Sequence, residues 1–339
     1  MRDAVLQPGR DRRPGGRTAR HGRAADRIGP RHLRRCGVPA RDTAVQPAGR
    51  LARAVPRQSP PDRTFVRGFL AAALSASLIL LVPVIVRALA STTAAGAIAA
   101  MNYALKLAEL PAGVLVTSVA TVALARLSGH YGGGDAAAAR TSLHEGLQRS
   151  ITNATGAGLV MAYFADAIVQ LVLGRGAMGP TEVQRVVDLS RLLMAGLPFL
   201  AVSSMATADL NARERPQTVL RVTLACLLLL PVLALPGVVW NSEVLLAAAV
   251  VGFQAVHAAA LAYASGLTRA EGRQWLNAKM AGLLGTALAL VACFIALDRM
   301  FSGGHSVVRL ALASLALLSI IVLPHRLLAP PRRSKDSRS

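Results

Sequence analysis

The chain is short of everything that usually marks an enzyme or a disulfide-built domain. Its three cysteines, Cys36, Cys226 and Cys293, lie far apart with no CxxC or Cys/His spacing, which excludes a disulfide framework and a zinc site of ordinary spacing. Cys226 and Cys293 sit in apolar runs, the usual place for a small buried thiol. Aromatic residues number four Tyr, seven Phe and two Trp, so apolarity here comes from Leu, Val and Ala. No GxSxG, P-loop, HExxH or DxD-like motif occurs, and no paired carboxylates stand on a large polar loop. We therefore expect no catalytic residue, no metal and no cofactor: not an enzyme. The start of the chain is basic but no apolar h-region follows it, so no signal peptide is expected.

What is present is an unusual pair of properties. The 339 residues are 53% hydrophobic yet carry a formal charge of +21, and the two properties occupy different regions. Residues 1–64 are crowded with Arg, Pro, Gly and Ala, whereas the apolar residues begin at Phe65. From there, apolar segments recur at 68–90, 94–127, 151–173, 183–208, 218–239, 244–267, 277–298 and 306–328. Each is long enough to cross a bilayer, which takes about 20 helical residues. In lipid the backbone must satisfy itself, so helices are the natural spanning form, and these segments are too continuous for barrel strands. The predicted fold class is all-α: a polytopic membrane helix bundle of about eight transmembrane helices. The expected organisation is a basic tail at 1–64, eight helices over 65–329 and a basic tail at 330–339.

Alternating connectors differ in charge. One set carries Arg126, Arg140, Arg149, Arg213, Arg215, Arg221, Arg269, Arg273 and Lys279, and the C-terminal tail adds Arg326, Arg332, Arg333, Lys335 and Arg338. The opposite set has mainly Arg175, Arg185, Arg299 and Arg309. The richer side is expected to face the cytoplasm, which makes this a multi-pass protein of a bacterial cytoplasmic membrane with both termini on the cytoplasmic side. Clustered arginines in 1–64 attract anionic lipid or nucleic acid. The segment has no heptads, no amphipathic period and no aromatic interleaving, and a solvated tail has the same composition. Arg/Ala/Gly/Pro richness without Lys is also what a GC-rich gene yields in a wrong frame or from a wrong start. We read 1–64 as such a segment or a passive tail, and expect membrane lipids but no nucleic acid as partners.

The apolar run 94–127 contains NYALKLAELPAGV (102–114). Ionisable residues inside a membrane cost roughly 2.5–3.5 kcal/mol each on insertion scales and mark functional sites by default. Asn102, Lys106, Glu109, Gly113, Thr117 and Thr121 recur at spacings of three and four, which places them on one helical face. Two readings follow. In one, Lys106 and Glu109 at i and i+3 neutralise each other and merely pack. In the other, Lys106 presents a cation to an anionic substrate and Glu109 holds it, with Asn102 and Thr117 on the same wall. Pro111, with Gly113, then supplies a bend that shapes a cavity. Elsewhere, Arg87 near the end of the first segment has the reach to snorkel. Asp188 and Arg191 stand i and i+3, and Asp209 lies beside Arg213 in pairing distance along the chain. Asp166 has no partner that the sequence identifies. His257, alone on an Ala-rich helix, has the pattern of a satisfied core histidine.

Three stretches resemble the MurJ/MviN family of lipid II flippases, within the multidrug/oligosaccharidyl-lipid/polysaccharide exporter group. AIAAMNYALKLAELPAGVLVTSVATVALARLS (97–128) is similar to the family's Tyr-containing helix with a basic-Leu-x-x-x-Pro-x-Gly-Val pattern. IVQLVLGRGAMGPTEV (168–183) resembles its Leu-x-Gly-Arg-Gly-Ala-Phe turn, and LLMAGLPFLAVSSMATADLNARERPQT (192–218) its Gly-Leu helix and Pro-ended loop. The similarity runs from about Gly68 to Leu328. It implies a fourteen-helix fold of two six-helix lobes plus two final helices, of which this chain carries the second lobe, at 65–267, and the final pair, at 268–329. Lys106 falls where the family usually has a cavity-facing Arg; it keeps the charge and loses the bidentate fork. Leu105, Val116 and Ala125 replace an Asp, a Gly and a Pro of the family pattern. Some members hold a cation with Asp and Asn side chains on the first and later helices of this lobe. Here 68–90 has no carboxylate and 218–239 has neither, so sodium coupling through that site is not expected.

The resemblance implies translocation of lipid II, a polyprenyl-diphosphate-linked glycan, for peptidoglycan biosynthesis, by alternating access. The substrate stays open between lipid II and another polyprenyl-linked polysaccharide unit. A missing N-terminal lobe or a partner chain is expected to complete the transporter. The contrasting expectation is a non-transporting membrane scaffold or degenerate fragment in which the polar stripe only packs helices.

Overall fold

A computed structural model describes residues 63–174, 178–268, 278–301 and 306–327. The expectations for 1–62, for parts of the 174–182 and 301–306 turns, for the 269–277 connector and for the C-terminal tail lie outside the described residues. Every regular element among those described is helical. The first apolar segment forms α1 (Arg63–Ile79) and α2 (Leu81–Ala90), and the second forms α3 (Ala97–Pro111), a π-turn (Ala112–Thr117) and α4 (Ser118–Gly132). Then follow α5 (Ala136–Tyr163), α6 (Ala165–Leu173), α7 (Pro180–Met194) and α8 (Leu197–Ala212). The chain continues through α9 (Pro216–Val239), α10 (Glu243–Ser265), α11 (Ala278–Phe301) and α12 (Ser306–Leu327).

Local chemistry sets the boundaries. Asp135 caps α5 by accepting from the Ala138 N–H at 2.9 Å, and Ser242 caps α10 by accepting from Leu245 at 3.4 Å. Proline opens α7 and α9 at Pro180 and Pro216, where its missing N–H costs nothing. Gly266 ends α10 in the left-handed region with φ +83°, and the Leu267 N–H reaches back to the Ala262 carbonyl at 2.9 Å.

Among the described residues, five helical segments are long and apolar enough to span a membrane: Val66–Ala90, Ala97–Gly132, Pro216–Val239, Glu243–Ser265 and Ala278–Met300. The predicted spans 151–173 and 183–208 are not straight helices. They correspond to the pairs α5 + α6, bent by 65°, and α7 + α8, bent by 44°; counting each pair as one span raises the number to seven. The first bend falls at Phe164, whose side chain is buried, and α5 begins at Ala136, ahead of the apolar segment 151–173. The eighth segment is an apolar helix whose described apolar part, Val308–Val322, is shorter than a full span.

The apolar residues are arranged as lipid requires. On α9, Leu228, Val232, Leu235 and Val239 point outward and are exposed, while Val219, Leu227, Leu230 and Ala234 turn inward. Small residues line the contacts between helices, letting backbones approach in the absence of a hydrophobic drive. α5 buries Ala154, Ala157 and Gly158, and α10 buries Ala247, Ala249, Ala258 and Ala262. A Cβ added to Gly158 would stand 2.9 Å from the Met194 carbonyl oxygen. α10 packs on α7, α8 and α9; α5 packs on α4 and α8; α3 packs on α7. The last two helices pack on α5 through a second cluster of Val160, Phe164, Val291, Ala313, Ala316 and Ile320.

That junction also carries charge. Arg309 of α12 donates to Asp166 of α6 at 2.6 Å and to Asp298 of α11 at 3.1 Å, and Tyr163 donates to Asp298 at 3.1 Å. Asp166 thus has a partner, one that lies 143 residues away. At the opposite end of the lobe, Arg213 pairs with Asp209 at 2.8 Å, and Tyr131 of α4 donates to Asp209 at 2.8 Å.

Candidate substrate site

Pro111 is buried at the end of α3. It has no N–H to give, and its ring crowds the carbonyl four residues back. The chain answers with six residues of π-helix, Ala112–Thr117, whose bonds run i to i+5, a form that recurs at functional sites. The Thr117 hydroxyl follows that register, donating to the Ala112 carbonyl at 3.4 Å. The expected interruption is therefore a widened turn: Ala97–Gly132 runs as one 36-residue span, and the sharp bends lie at α5–α6 and α7–α8. The turn matters for the polar stripe. Each step of four residues advances a stripe by about 40° on an α-helix, and the wider π-turn sets part of that drift back.

Lys106 and Glu109 are in direct contact. The Lys106 ammonium donates to Glu109 Oε2 at 2.6 Å, with the two side chains 59% and 47% exposed. An ammonium has three N–H donors, so this bond leaves Lys106 able to meet a second acceptor. The remaining stripe residues do not share one hollow. Asn102 lines a recess with Arg87 where α2 turns into α3. Glu109 lines a narrow cleft of about 140 Å³ whose far wall holds Phe253, Gln254 and His257 of α10. Thr117 and Thr121 line a cleft of about 330 Å³ between α1, α4, α8 and α9. Gly113 is exposed and a Cβ there would meet nothing within 4 Å.

The two clefts share Ser203 and His257. His257 is 7% exposed, bonded through Nε2 to the Thr223 hydroxyl at 3.1 Å and stacked on Phe253 with ring centres 5.6 Å apart. It is a satisfied interior histidine that also forms a wall. Polar residues that the stripe did not announce complete the larger cleft: Ser203, Ser204, Thr207 and Asn211 of α8. Their spacing was a readable signal, since Ser203, Thr207 and Asn211 recur every four residues within an apolar segment. Among the described residues, no group of three or more His, Cys, Asp or Glu is placed to hold a metal ion.

An all-α bundle with outward apolar faces, broken spans and polar hollows along one long helix defines a polytopic membrane protein. Residues 45–320 match the model of the lipid II flippase MurJ family, and the chain belongs to that family. The match begins upstream of Gly68, so similarity reaches into the basic N-terminal segment rather than stopping at the first apolar run. The fold is similar to a structure of lipid II flippase MurJ in an inward closed conformation, with TM-score 0.62 and 16% identity over 78% of this chain and 54% of that one. It is also similar to a MATE protein crystallised in a bent conformation, with TM-score 0.55 and 14% identity over 77% of this chain and 65% of that one. At these identities the likeness is one of fold alone. The chain thus spans about half the length of the MurJ structure it matches. No curated protein matches it in sequence.

Proposed function

We propose that the chain is one lobe, with its two extra helices, of a flippase that carries a polyprenyl-diphosphate-linked glycan across the cytoplasmic membrane. Lipid II, the peptidoglycan precursor, is the favoured substrate; another polyprenyl-linked polysaccharide unit has the same diphosphate and the same demand for a cation. The reading rests chiefly on family membership over 45–320 combined with an exposed ammonium, Lys106, on a largely apolar span. Lys106 meets the diphosphate and Glu109 orients it in the absence of substrate. Asn102 and Thr117 stand one turn or more to either side along the same span.

A half-exposed ion pair is weakly held in contact with water, so an incoming diphosphate can displace Glu109 from Lys106 at little cost. Alternating access then requires a second lobe facing this one, supplied by another part of a longer protein or by a partner chain, with the prenyl tail left in lipid. Both termini are assigned to the cytoplasmic side by the connector charges. The scaffold reading draws on the same 2.6 Å contact, since a neutralised pair also packs.

Complementation of a flippase-depleted strain by the chain together with its second lobe separates the two. Lys106→Ala is expected to abolish complementation and Lys106→Arg to retain it, at equal membrane abundance. Full growth with Lys106→Ala removes Lys106 from the mechanism and leaves the scaffold reading.

A further inference from the structure

The recess between α2 and α3 holds a charged group that the Lys106 reading leaves unused. Arg87 lies in the last turn of α2, partly buried, and its Nε is enclosed with no acceptor. Among the described residues no carboxylate lines the recess; its wall includes Ser91, Thr93, Gly96, Ile98 and Asn102. An enclosed charged donor without an acceptor is costly, and here the guanidinium opens onto a space of about 600 Å³. Asn102, one helix away, is likewise without a hydrogen-bond partner among the described residues. By contrast, the Ser91 and Thr93 hydroxyls are committed as donors to the Ala88 and Ala90 carbonyls at 2.6 and 2.8 Å.

The neighbouring cation shows what satisfaction looks like. Arg185 of α7 pairs with Glu243 at 3.1 Å and donates to the Ala95 carbonyl at 3.0 Å. It thereby props the loop in which Gly96 takes φ +81°, a conformation that favours glycine. The loop is thus tied by a paired arginine, whereas Arg87, whose Nε has no partner among the described residues, faces the recess. The first turn of α3 has no side-chain cap, which adds a favourable dipole end to a site already made by two side chains.

We propose that Arg87 and Asn102 form a phosphate-binding position distinct from Lys106, taking one phosphate oxyanion between guanidinium and carboxamide. The guanidinium supplies the planar fork that phosphate prefers and Lys106 lacks. Two sources carry that chemistry: the headgroup phosphate of a bulk phospholipid, or the diphosphate of a carried lipid. Only the second rests on the flippase reading. In it, Arg87 in the last turn of α2 and Lys106 in the third turn of α3 are successive stations on neighbouring helices, and the headgroup passes from one to the other.

The experiment uses the full chain in nanodiscs of phosphatidylcholine, titrated with inorganic pyrophosphate, and the same protein in native mass spectrometry with phosphatidylglycerol. Arg87→Gln is compared with wild type in both, with circular dichroism as the check on folding and Arg87→Lys as the milder variant. Weakening of pyrophosphate binding by about tenfold in Arg87→Gln, of the size expected for one charged contact, assigns the site to a diphosphate group. Loss of one retained phosphatidylglycerol in Arg87→Gln, with pyrophosphate binding unchanged, assigns it to a lipid headgroup. Equal behaviour of wild type and a folded Arg87 variant, Gln or Lys, in both arms overturns the proposal. Each arm is repeated in a Lys106→Ala background, where the Arg87 effect is expected to persist; it does so whether or not the chain proves to flip a lipid.

Discussion

Removing Arg309 is expected to detach the last two helices from the lobe. Its guanidinium bridges Asp166 at 2.6 Å and Asp298 at 3.1 Å, and the Asp298 side chain is only 4% exposed. In Arg309→Ala two carboxylates face the same gap without the guanidinium between them, and among the described residues Asp298 keeps the Tyr163 hydroxyl. Breaking one side of a buried pair costs about 3–5 kcal/mol, because the charge left behind is uncompensated. At about 2–4 °C per kcal/mol for a chain of a few hundred residues, the melting temperature in detergent should fall by at least ~6 °C. Circular dichroism reads that fall directly. The mechanism makes a second demand: since the cost lies in the stranded carboxylate, Arg309→Ala/Asp298→Asn should be more stable than Arg309→Ala by about 2 kcal/mol, toward the lower desolvation cost of a neutral amide. A single mutant melting within about 2 °C of wild type, or a double mutant no better than the single, refutes the reasoning.

Other expectations are simpler. Gly237→Ala places a Cβ 2.8 Å from the Leu246 backbone nitrogen and 2.7 Å from its side chain, and overpacking of that kind costs about 1–3 kcal/mol, visible as a lower midpoint in detergent-denaturant unfolding. Tyr131→Phe removes a hydroxyl that accepts from Arg213 Nε at 2.9 Å and donates to Asp209 at 2.8 Å; a loss of about 1–3 kcal/mol is expected for hydrogen bonds to charged groups, and a midpoint equal to wild type would show the bonds to be idle. Thr223→Val takes the partner from His257 Nε2 and should cost about 1–3 kcal/mol, with no cost if water replaces the hydroxyl. Glu109→Gln keeps the shape beside Lys106 without the negative charge and should leave complementation stronger than Lys106→Ala does; an equal loss would make the carboxylate itself essential.

Hydropathy and punctuation were enough to place nearly every helix, because a chain in lipid must bond its own backbone and has few forms in which to do so. The polar stripe was legible for the same reason: Asn102, Lys106, Glu109, Thr117 and Thr121 stand out against an apolar ground, and three- and four-residue spacing needs no tertiary information. The contact of Lys106 with Glu109 follows from that spacing alone. What spacing could not convey is how a proline is absorbed. Pro111 reads as a bend, but a π-turn keeps the span continuous; the 65° bend falls at Phe164 with no proline beside it, and the 44° bend falls at Ala195–Gly196, just before Pro198 in the first turn of α8.

Partners across the bundle belong wholly to the tertiary structure. Asp166 and Arg309 are 143 residues apart, and Tyr131 and Asp209 are 78 apart; nothing local to either member selects the other. The same holds for the hollows. One linear stripe on α3 and α4 is divided among three of them because α2, α10 and α8 in turn stand opposite its residues, bringing Arg87 to Asn102, His257 to the cleft of Glu109, and Asn211 to that of Thr121. Sequence thus determined that a charged helix crosses the membrane. Packing of distant helices against it decided what each charge faces, since a side chain's surroundings are made by whichever segments the fold brings near, at any separation along the chain.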